Sequence, residues 1–187
     1  MLDTLPEKDF DNITTLTASI CDTPISLITL MGSDRNFLKS HHGVDLQESP
    51  RDTSFCGHAI VDTSEVFLVK DALKDIRFKD NPVVIEHNIR FYAGVTLYNP
   101  DGYALGTLCV YDTKPRELTT KQIDALKALA AQVVNLLEER KKNLILKKLQ
   151  KELKENNEQL KNFAGIISHD MKMPLANMIV TSDILKK

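Results

Sequence analysis

Between Pro115 and Gly165 the chain runs through 49 consecutive residues, positions 116–164, with neither glycine nor proline. A globular helix averages about 11–12 residues, so an uninterrupted stretch of this kind points to an element far longer than a domain helix. At 1.5 Å per residue a continuous helix here would run roughly 73 Å. A rod of that length must bury its apolar seam on another helix, most simply a second copy of itself. Six of the seven glycines and six of the seven prolines lie at or before Pro115. The sequence therefore divides into a turn-rich N-terminal domain and a long C-terminal helix.

The rod has a defined start. Thr119 followed by Gln122 has the capping-box spacing just ahead of Ile123. Ile123, Leu126, Ala130, Val133 and Leu137 then follow a 3-4-3-4 spacing, as do Leu146, Leu149, Leu153, Asn156, Leu160, Phe163 and Ile167. Both series read as the apolar seam of a two-stranded coiled coil, with Asn156 as the polar seam residue that sets register and oligomer state. The two series are out of phase: one heptad beyond Leu137 falls on Leu144, two residues short of Leu146. The slip lies in Leu144-Ile145-Leu146, where a supercoil would be over- or underwound. Between 138 and 161, 13 of 24 residues are charged, and pairs such as Lys148/Glu152 sit four apart, as on a solvated coiled-coil exterior.

The first 115 residues alternate helix and strand signals. Phe10, Ile13, Leu16 and Ile20 recur at helical spacing and predict an opening amphipathic helix. Residues 24–31 (PISLITLM) read as a buried strand closed by Gly32-Ser33-Asp34, with NFLKS after it as a hairpin partner. EVFLV (65–69), RFYAGVTLY (90–98) and LGTLCVYD (105–112) are rich in β-branched and aromatic residues. Asn99-Pro100-Asp101-Gly102 joins the last two as a hairpin turn. Five strands flanked by helices predict an α+β sandwich on an antiparallel sheet. The polar stretches 43–64 and 70–88 are expected to lie as loops and short helices over one face, where a pocket would form.

Composition removes whole classes of function. With 24 basic and 26 acidic residues and a net charge of −2, the chain is neither a polybasic nucleic-acid binder nor an acidic disordered one. No apolar run reaches the roughly 18–20 residues of a membrane span, and MLDTLPEKDF lacks the form of a secretion signal. Cys21, Cys56 and Cys109, odd in number and widely spaced, fit neither a disulfide framework nor a zinc site. A reduced, cytoplasmic protein is expected.

Near the end of the rod the sequence reads FAGIISHDMKMPL, residues 163–175. His169 precedes Pro174 by little more than a helical turn. Proline has no amide hydrogen, so the Asp170 carbonyl loses its helical partner and a soft point is expected beside the histidine. A neutral imidazole can act as a nucleophile through one nitrogen, and a carboxylate on the other would set its tautomer. The segment resembles the phosphoacceptor box of sensor histidine kinases at Phe163, Ile167, Ser168, His169, Asp170, Met171, Lys172, Pro174 and Leu175. The resemblance implies that His169 accepts the γ-phosphoryl of ATP and passes it to a response-regulator aspartate, with Asp170 as the neighbouring general base or tautomer-setting group. Met173 departs from the pattern, because that family commonly places a polar residue there to position water for dephosphorylation. Weak phosphatase activity is the expectation. Only 18 residues follow His169, too few for the returning helix and the ATP-binding domain. The chain reads as a fragment without kinase activity of its own; ATP and magnesium would belong to the missing catalytic domain.

Residues 9–138 resemble a GAF domain, on SPRDTSFCGHAI (49–60), RFYAGVTLYNPDG (90–102), and LGTLCVYD with PRELTTKQ (105–122). This resemblance implies six strands rather than five, helices on both sides, and one helix running into the coiled coil. The Asn-Lys...Phe...Asp-Glu constellation of cyclic-nucleotide-binding members is not matched by RFKDNP (77–82). Glu86-His87-Asn88 offers no thiol for a covalent bilin. Phe55, Cys56, His58, His87 and Tyr92 are the candidate pocket lining. Cys56 and His58 with His87 make no metal-ligand spacing beyond one pair, Cys109 on its strand reads as core, and His41-His42 as surface. With the three cysteines 35 and 53 residues apart, a stand-alone redox enzyme is disfavoured for lack of a closely spaced resolving pair.

The expected organisation is a GAF sensor domain over 1–138, a signalling coiled coil over 139–160 and a partial phosphoacceptor helix over 161–187. The expected fold is an α+β antiparallel sheet sandwiched by helices, followed by a parallel dimeric coiled coil. The expected partners are a second copy of the chain, a response-regulator receiver domain and a small-molecule or other signal, the domain alternatively binding nothing and serving as a dimerising platform, with no nucleic acid, no metal and no membrane span. The competing expectation is a non-enzymatic dimeric ligand-binding scaffold in which His169 is incidental.

Overall fold

Alternation between two apolar faces organises the N-terminal half. In a computed structural model, which describes residues 5–184 and, past Ile167, only the side chains of Lys172, Pro174 and Met178, six strands form one antiparallel sheet. They are β1 (Ile25–Met31), β2 (Arg35–His42), β3 (Glu48–Pro50), β4 (Phe67–Val69), β5 (Phe91–Tyr98) and β6 (Ala104–Asp112). Their order across the sheet is β3-β2-β1-β6-β5-β4, and every neighbouring pair is antiparallel. The strand absent from the five expected is β3. It is three residues long, polar and ends on proline, so it carries none of the alternation that marks a half-buried strand and can only sit at an edge.

One face of the sheet packs against α1 (Lys8–Cys21) and the start of α4 (Thr120–Ile184). Ile28, Leu30, Phe91, Ala93, Leu97, Leu108 and Val110 meet Phe10 and Cys21 of α1 and Leu126, Ala130, Val133 and Leu137 of α4 there. Helix α1 forms where expected but rolls its buried stripe onto Phe10, Thr14, Thr17, Ala18 and Cys21, leaving Leu16 and Ile20 exposed. The buried threonines are tolerated because their hydroxyls are satisfied. Thr17 Oγ1 donates to the Ile13 carbonyl (2.7 Å), and Thr14 Oγ1 is 2.9 Å from Ser40 Oγ on β2.

The capping box is present in both directions. Thr119 N donates to Gln122 Oε1 (2.9 Å) and Gln122 N to Thr119 Oγ1 (3.3 Å). The β5–β6 turn also forms: Gly102 takes φ +83°, and its amide reaches the Asn99 carbonyl at 2.9 Å.

The first 3-4-3-4 series is not a coiled-coil seam. Leu126, Ala130, Val133 and Leu137 are 0–3% exposed, buried in the domain core. The second series is open: Leu146, Leu149, Leu153, Leu160, Phe163 and Ile167 are 41–64% exposed. The phase slip at Leu144–Leu146 thus separates a buried stripe from an exposed one. One helix face serves the sheet up to Leu137, and a different face is left apolar beyond it. Compact packing divides the chain a few residues earlier, into Met1–Glu139 and Arg140–Lys187. Among the described residues no helix is long and apolar enough to cross a membrane.

Candidate functional site

The opposite face of the sheet is covered by three short pieces from the two polar stretches: α2 (Phe55–Ala59), a 3-10 turn (Ala72–Lys74) and α3 (Pro82–Glu86). Each is started by a side-chain cap rather than by length. Ser54 Oγ accepts from Gly57 N (2.9 Å), Asp71 from Leu73 N (3.3 Å), and Asn81 Oδ1 from Val83 N (2.9 Å). Asn81 also ties α3 to the chain before α2 through Nδ2 to the Thr53 carbonyl (2.8 Å).

Beneath these caps lies an aromatic block. Phe55 stacks on Phe78 at 4.2 Å between centroids and on Tyr92 at 5.1 Å, and meets Tyr111 edge-on at 5.7 Å. Tyr92 touches Tyr111 (4.9 Å) and Phe67 (5.9 Å) in edge-to-face contacts. Phe55, Phe78 and Tyr92 are fully buried, so the space in which a sensor ligand was expected is occupied by rings. Arg77 lies over Phe67 and Phe78 at 4.9 and 5.3 Å. Asp75 holds that guanidinium bidentately (2.9 and 2.6 Å), and Arg77 in turn keeps the Asp75 carboxyl below its ordinary range.

At the centre of the block is a small polar island. Cys56 Sγ lies 3.7 Å from Cys109 Sγ and 3.5 Å from Tyr111 Oη, and Tyr92 Oη donates to it at 3.7 Å. Cys109 Sγ donates to the Leu27 carbonyl (3.7 Å), and Thr29 and Thr107 share a hydrogen bond of 3.0 Å across the β1–β6 pair. The hydrogen bond from Cys109 is the largest influence on Cys56 and, helped by Thr107, Tyr111 and Thr29, outweighs burial and holds its thiol below the usual range. Burial, with the neighbouring Cys56, pushes Cys109 up, and burial likewise raises both phenols. Of the two thiols, Cys56 is the one whose surroundings favour losing the proton.

The candidate lining separates on this geometry. Phe55, Cys56 and Tyr92 meet in the block. His58 sits half-buried at its margin, edge-on to Phe78 at 4.8 Å, with Nδ1 donating to the Ser54 carbonyl (3.1 Å). His87 is not brought in: it is exposed and caps the end of α3 through its backbone. Phe67, Phe78, Cys109 and Tyr111 join the block without having been expected in it. For Tyr111 the signal was present, since strand alternation puts it on the same face as Cys109. For Phe78 no local pattern exists, because it comes from the irregular stretch between the 3-10 turn and α3.

A concavity of about 530 Å³ lies beside α4 near Glu65, Val95, Thr96, Tyr98, Lys127 and Val134. The Lys127–Glu65 ion pair (2.6 Å) is exposed at its edge. The segment with the phosphoacceptor resemblance is helical in backbone, and α4 continues through Pro174 to Ile184. The side chains of His169, Asp170 and Met173 lie outside the described residues.

Similar proteins place this geometry. A cyclic di-GMP phosphodiesterase of Pseudomonas aeruginosa is 42% identical over 111 residues, 59% of this chain and 19% of that protein. The chain thus corresponds to about a fifth of that curated relative's length. Two solved structures share the fold. The GAF domain of an Acinetobacter phosphoenolpyruvate-protein phosphotransferase aligns with TM-score 0.56 at 18% identity, covering 70% of this chain and 80% of that one. A domain described as part of a two-component sensor histidine kinase from Sinorhizobium meliloti aligns with TM-score 0.59 at 10% identity, covering 75% and 97%. The GAF domain family model matches residues 6–137, from the start of α1 to the last core residue of α4, and by that match the chain belongs to the GAF domain family.

Proposed function

We propose that this chain is the sensory and phosphoacceptor portion of a two-component sensor histidine kinase. The GAF domain receives a small-molecule signal, and His169 accepts phosphoryl from ATP bound by a catalytic domain elsewhere in the parent protein and hands it to a receiver-domain aspartate. The observation that carries this reading is the use of one helix for two purposes. α4 contributes Leu126, Ala130, Val133 and Leu137 to the sensor core and, past the phase slip, bears the segment FAGIISHDMKMPL. The exposed apolar series from Leu146 to Ile167 supports a parallel homodimer, because a second copy would cover it. Asp170 serves as the tautomer-setting group or general base beside His169.

A signal molecule acts on the aromatic block by displacing rings rather than by filling a preformed space. Phe55, Cys56 and Tyr92 would contact it, with His58 at the margin. The 42% identity to a cyclic di-GMP phosphodiesterase supports a GAF module used with more than one kind of output. The alternative, a dimeric ligand-binding scaffold, keeps the same sensor and dispenses with His169.

The test is acid-labile phosphate in the parent protein given Mg-ATP. His169→Gln should abolish the label while the GAF domain, which does not include that residue, keeps its fold by circular dichroism. Full labelling of the variant removes the kinase reading and leaves the scaffold.

A further inference from the structure

Two thiols separated by 53 residues in sequence are brought to 3.7 Å in the core, and neither the family membership nor the proposed output gives them a task. We infer that Cys56 and Cys109 are a reversible oxidation site that a peroxide converts to an intrachain disulfide, making the sensor domain responsive to oxidant independently of any small-molecule signal.

The geometry needs little change. A disulfide requires sulfurs about 2.05 Å apart, so closure asks for a shift of roughly 1.7 Å. The two sulfurs ride on unequal supports. Cys109 lies on β6, which is hydrogen-bonded on both sides by β1 and β5. Cys56 lies on α2, five residues held by the Ser54 cap and by ring stacking. The movement therefore falls on α2. Closure takes Cys56 from its contacts with the Tyr92 and Tyr111 hydroxyls and pulls Phe55, its neighbour in sequence, against the rings it stacks on.

The chemistry has an assigned order. Cys56 is the nucleophile, because Tyr92 Oη donates to its sulfur and Tyr111 Oη lies 3.5 Å away, in reach to donate to a thiolate, whereas Cys109 Sγ faces the Leu27 carbonyl. The Cys56 sulfur attacks one peroxide oxygen and the O–O bond breaks. With hydrogen peroxide this leaves a sulfenic acid and hydroxide, which takes up the proton lost by Cys56 and departs as water. Cys109 sulfur then attacks Cys56 sulfur, the S–O bond breaks, and the expelled hydroxide takes the Cys109 proton as a second water. Two thiols give up two electrons, and the peroxide receives both. Both sulfurs are at most 1% exposed, so the oxidant enters when α2 opens. Hydrogen peroxide is small enough for that, whereas an aromatic disulfide reagent is not.

The third cysteine is an internal control. Cys21 is equally buried, but on the other face of the sheet among Phe10, Ile28 and Val110, with no hydrogen-bonding partner for its sulfur among the described residues. The full 187-residue chain is reduced, freed of reductant and exposed to hydrogen peroxide near neutral pH. It is then denatured, alkylated with iodoacetamide and mapped by mass spectrometry. The expected product is a single pair of peptides joined through Cys56 and Cys109, lighter than their sum by two hydrogens, present in monomeric chains on a non-reducing gel and released by dithiothreitol. Cys21 is expected to be alkylated in full. Cys21→Ser should give the same link, and Cys109→Ser should replace it with oxygenated Cys56; if the latter variant does not fold, the wild-type map decides. Complete alkylation of Cys56 and Cys109 after peroxide treatment, whatever the state of Cys21, overturns the inference. So does a link through Cys21 or between chains, or accumulation of sulfinic Cys56 with Cys109 untouched.

Discussion

Gly94 lies on β5 opposite Cys109, in the same face of the sheet as Tyr92 two residues earlier. A Cβ built there would fall 2.7 and 2.9 Å from Cζ and Cε1 of Tyr92, and nearer still to its hydroxyl oxygen. The ring has no room to lean away, because Phe55, Phe67 and Tyr111 pack around it at 4.9–5.9 Å. In Gly94→Ala either β5 distorts or Tyr92 leaves its place, an overpacking cost of about 1–3 kcal/mol. Against this stands a gain of about 0.4–1 kcal/mol from a less flexible unfolded chain. The clash wins, and the variant should be less stable by about 1–2 kcal/mol. The chain has no tryptophan and four tyrosines, two of them in the block, so urea unfolding followed by tyrosine fluorescence reads the site directly. Tyr92→Phe removes the nearest atom but leaves the ring carbons tight, so it should recover part of the loss in the Gly94→Ala background, with a coupling of about 1 kcal/mol in a double-mutant cycle. A Gly94→Ala protein as stable as wild type, or a cycle with no coupling, would mean that Gly94 is not what lets the Tyr92 hydroxyl reach Cys56.

Other perturbations test the framework around the site. Asp71 takes Arg90 Nε and Nη2 at 2.9 and 3.0 Å and also caps the 3-10 turn. Asp71→Ala should cost about 2–3 kcal/mol in urea unfolding, since it strands a partly buried guanidinium, while Asp71→Asn should cost less by keeping the cap. Equal losses in the two variants would assign the stability to the ion pair alone. Burial pushes the Cys21 thiol from 9.0 up to about 11. The unfolded chain then releases this proton first as pH rises, so the stabilisation is complete below pH 9 and is lost progressively towards pH 11, by up to about 2.7 kcal/mol at 1.36 kcal/mol per unit. The stability gap between wild type and Cys21→Ala should narrow across that range, and parallel curves would place Cys21 in contact with water.

Which parts of this molecule were legible in the sequence follows from how local their causes are. β1, β2, β5 and β6, the Asn99–Gly102 turn and the Thr119–Gln122 cap are each specified within a few residues, and each forms where its pattern stands. β3 was invisible because an edge strand of three polar residues needs only a neighbour, not a pattern. The roll of α1 was missed because Leu16 and Ile20 outrank Thr14 and Thr17 in hydrophobicity. Only the finished packing reveals Ser40 as the partner that makes Thr14 burial cheap. The candidate site was half legible for a related reason. The string DTSFCGHAI carries both the cap at Ser54 and the residues it buries, so Phe55 and Cys56 could be picked out. His87 was drawn in by residue type alone, and its exposure shows that chemistry-bearing identity without a positioning element is a poor guide.

The cysteines and the long helix make the same argument from opposite ends. In sequence the 53-position separation of Cys56 and Cys109 disfavours a redox enzyme with a closely spaced resolving pair, yet the β5–β6 hairpin and the return of α2 across it put their sulfurs 3.7 Å apart. Separation along the chain says nothing against proximity once a sheet intervenes. In α4, conversely, a local pattern was correct and its meaning was not. A 3-4-3-4 series describes a helix with one apolar stripe, and that stripe serves equally against a sheet or against another helix. The sign that the two series differ is the two-residue slip at Leu144–Leu146, where the apolar stripe moves to another face of the helix. The stretch before the slip is buried by its own domain, and the stripe beyond it is exposed. The exposed apolar stripe therefore begins at Leu144, not at Ile123.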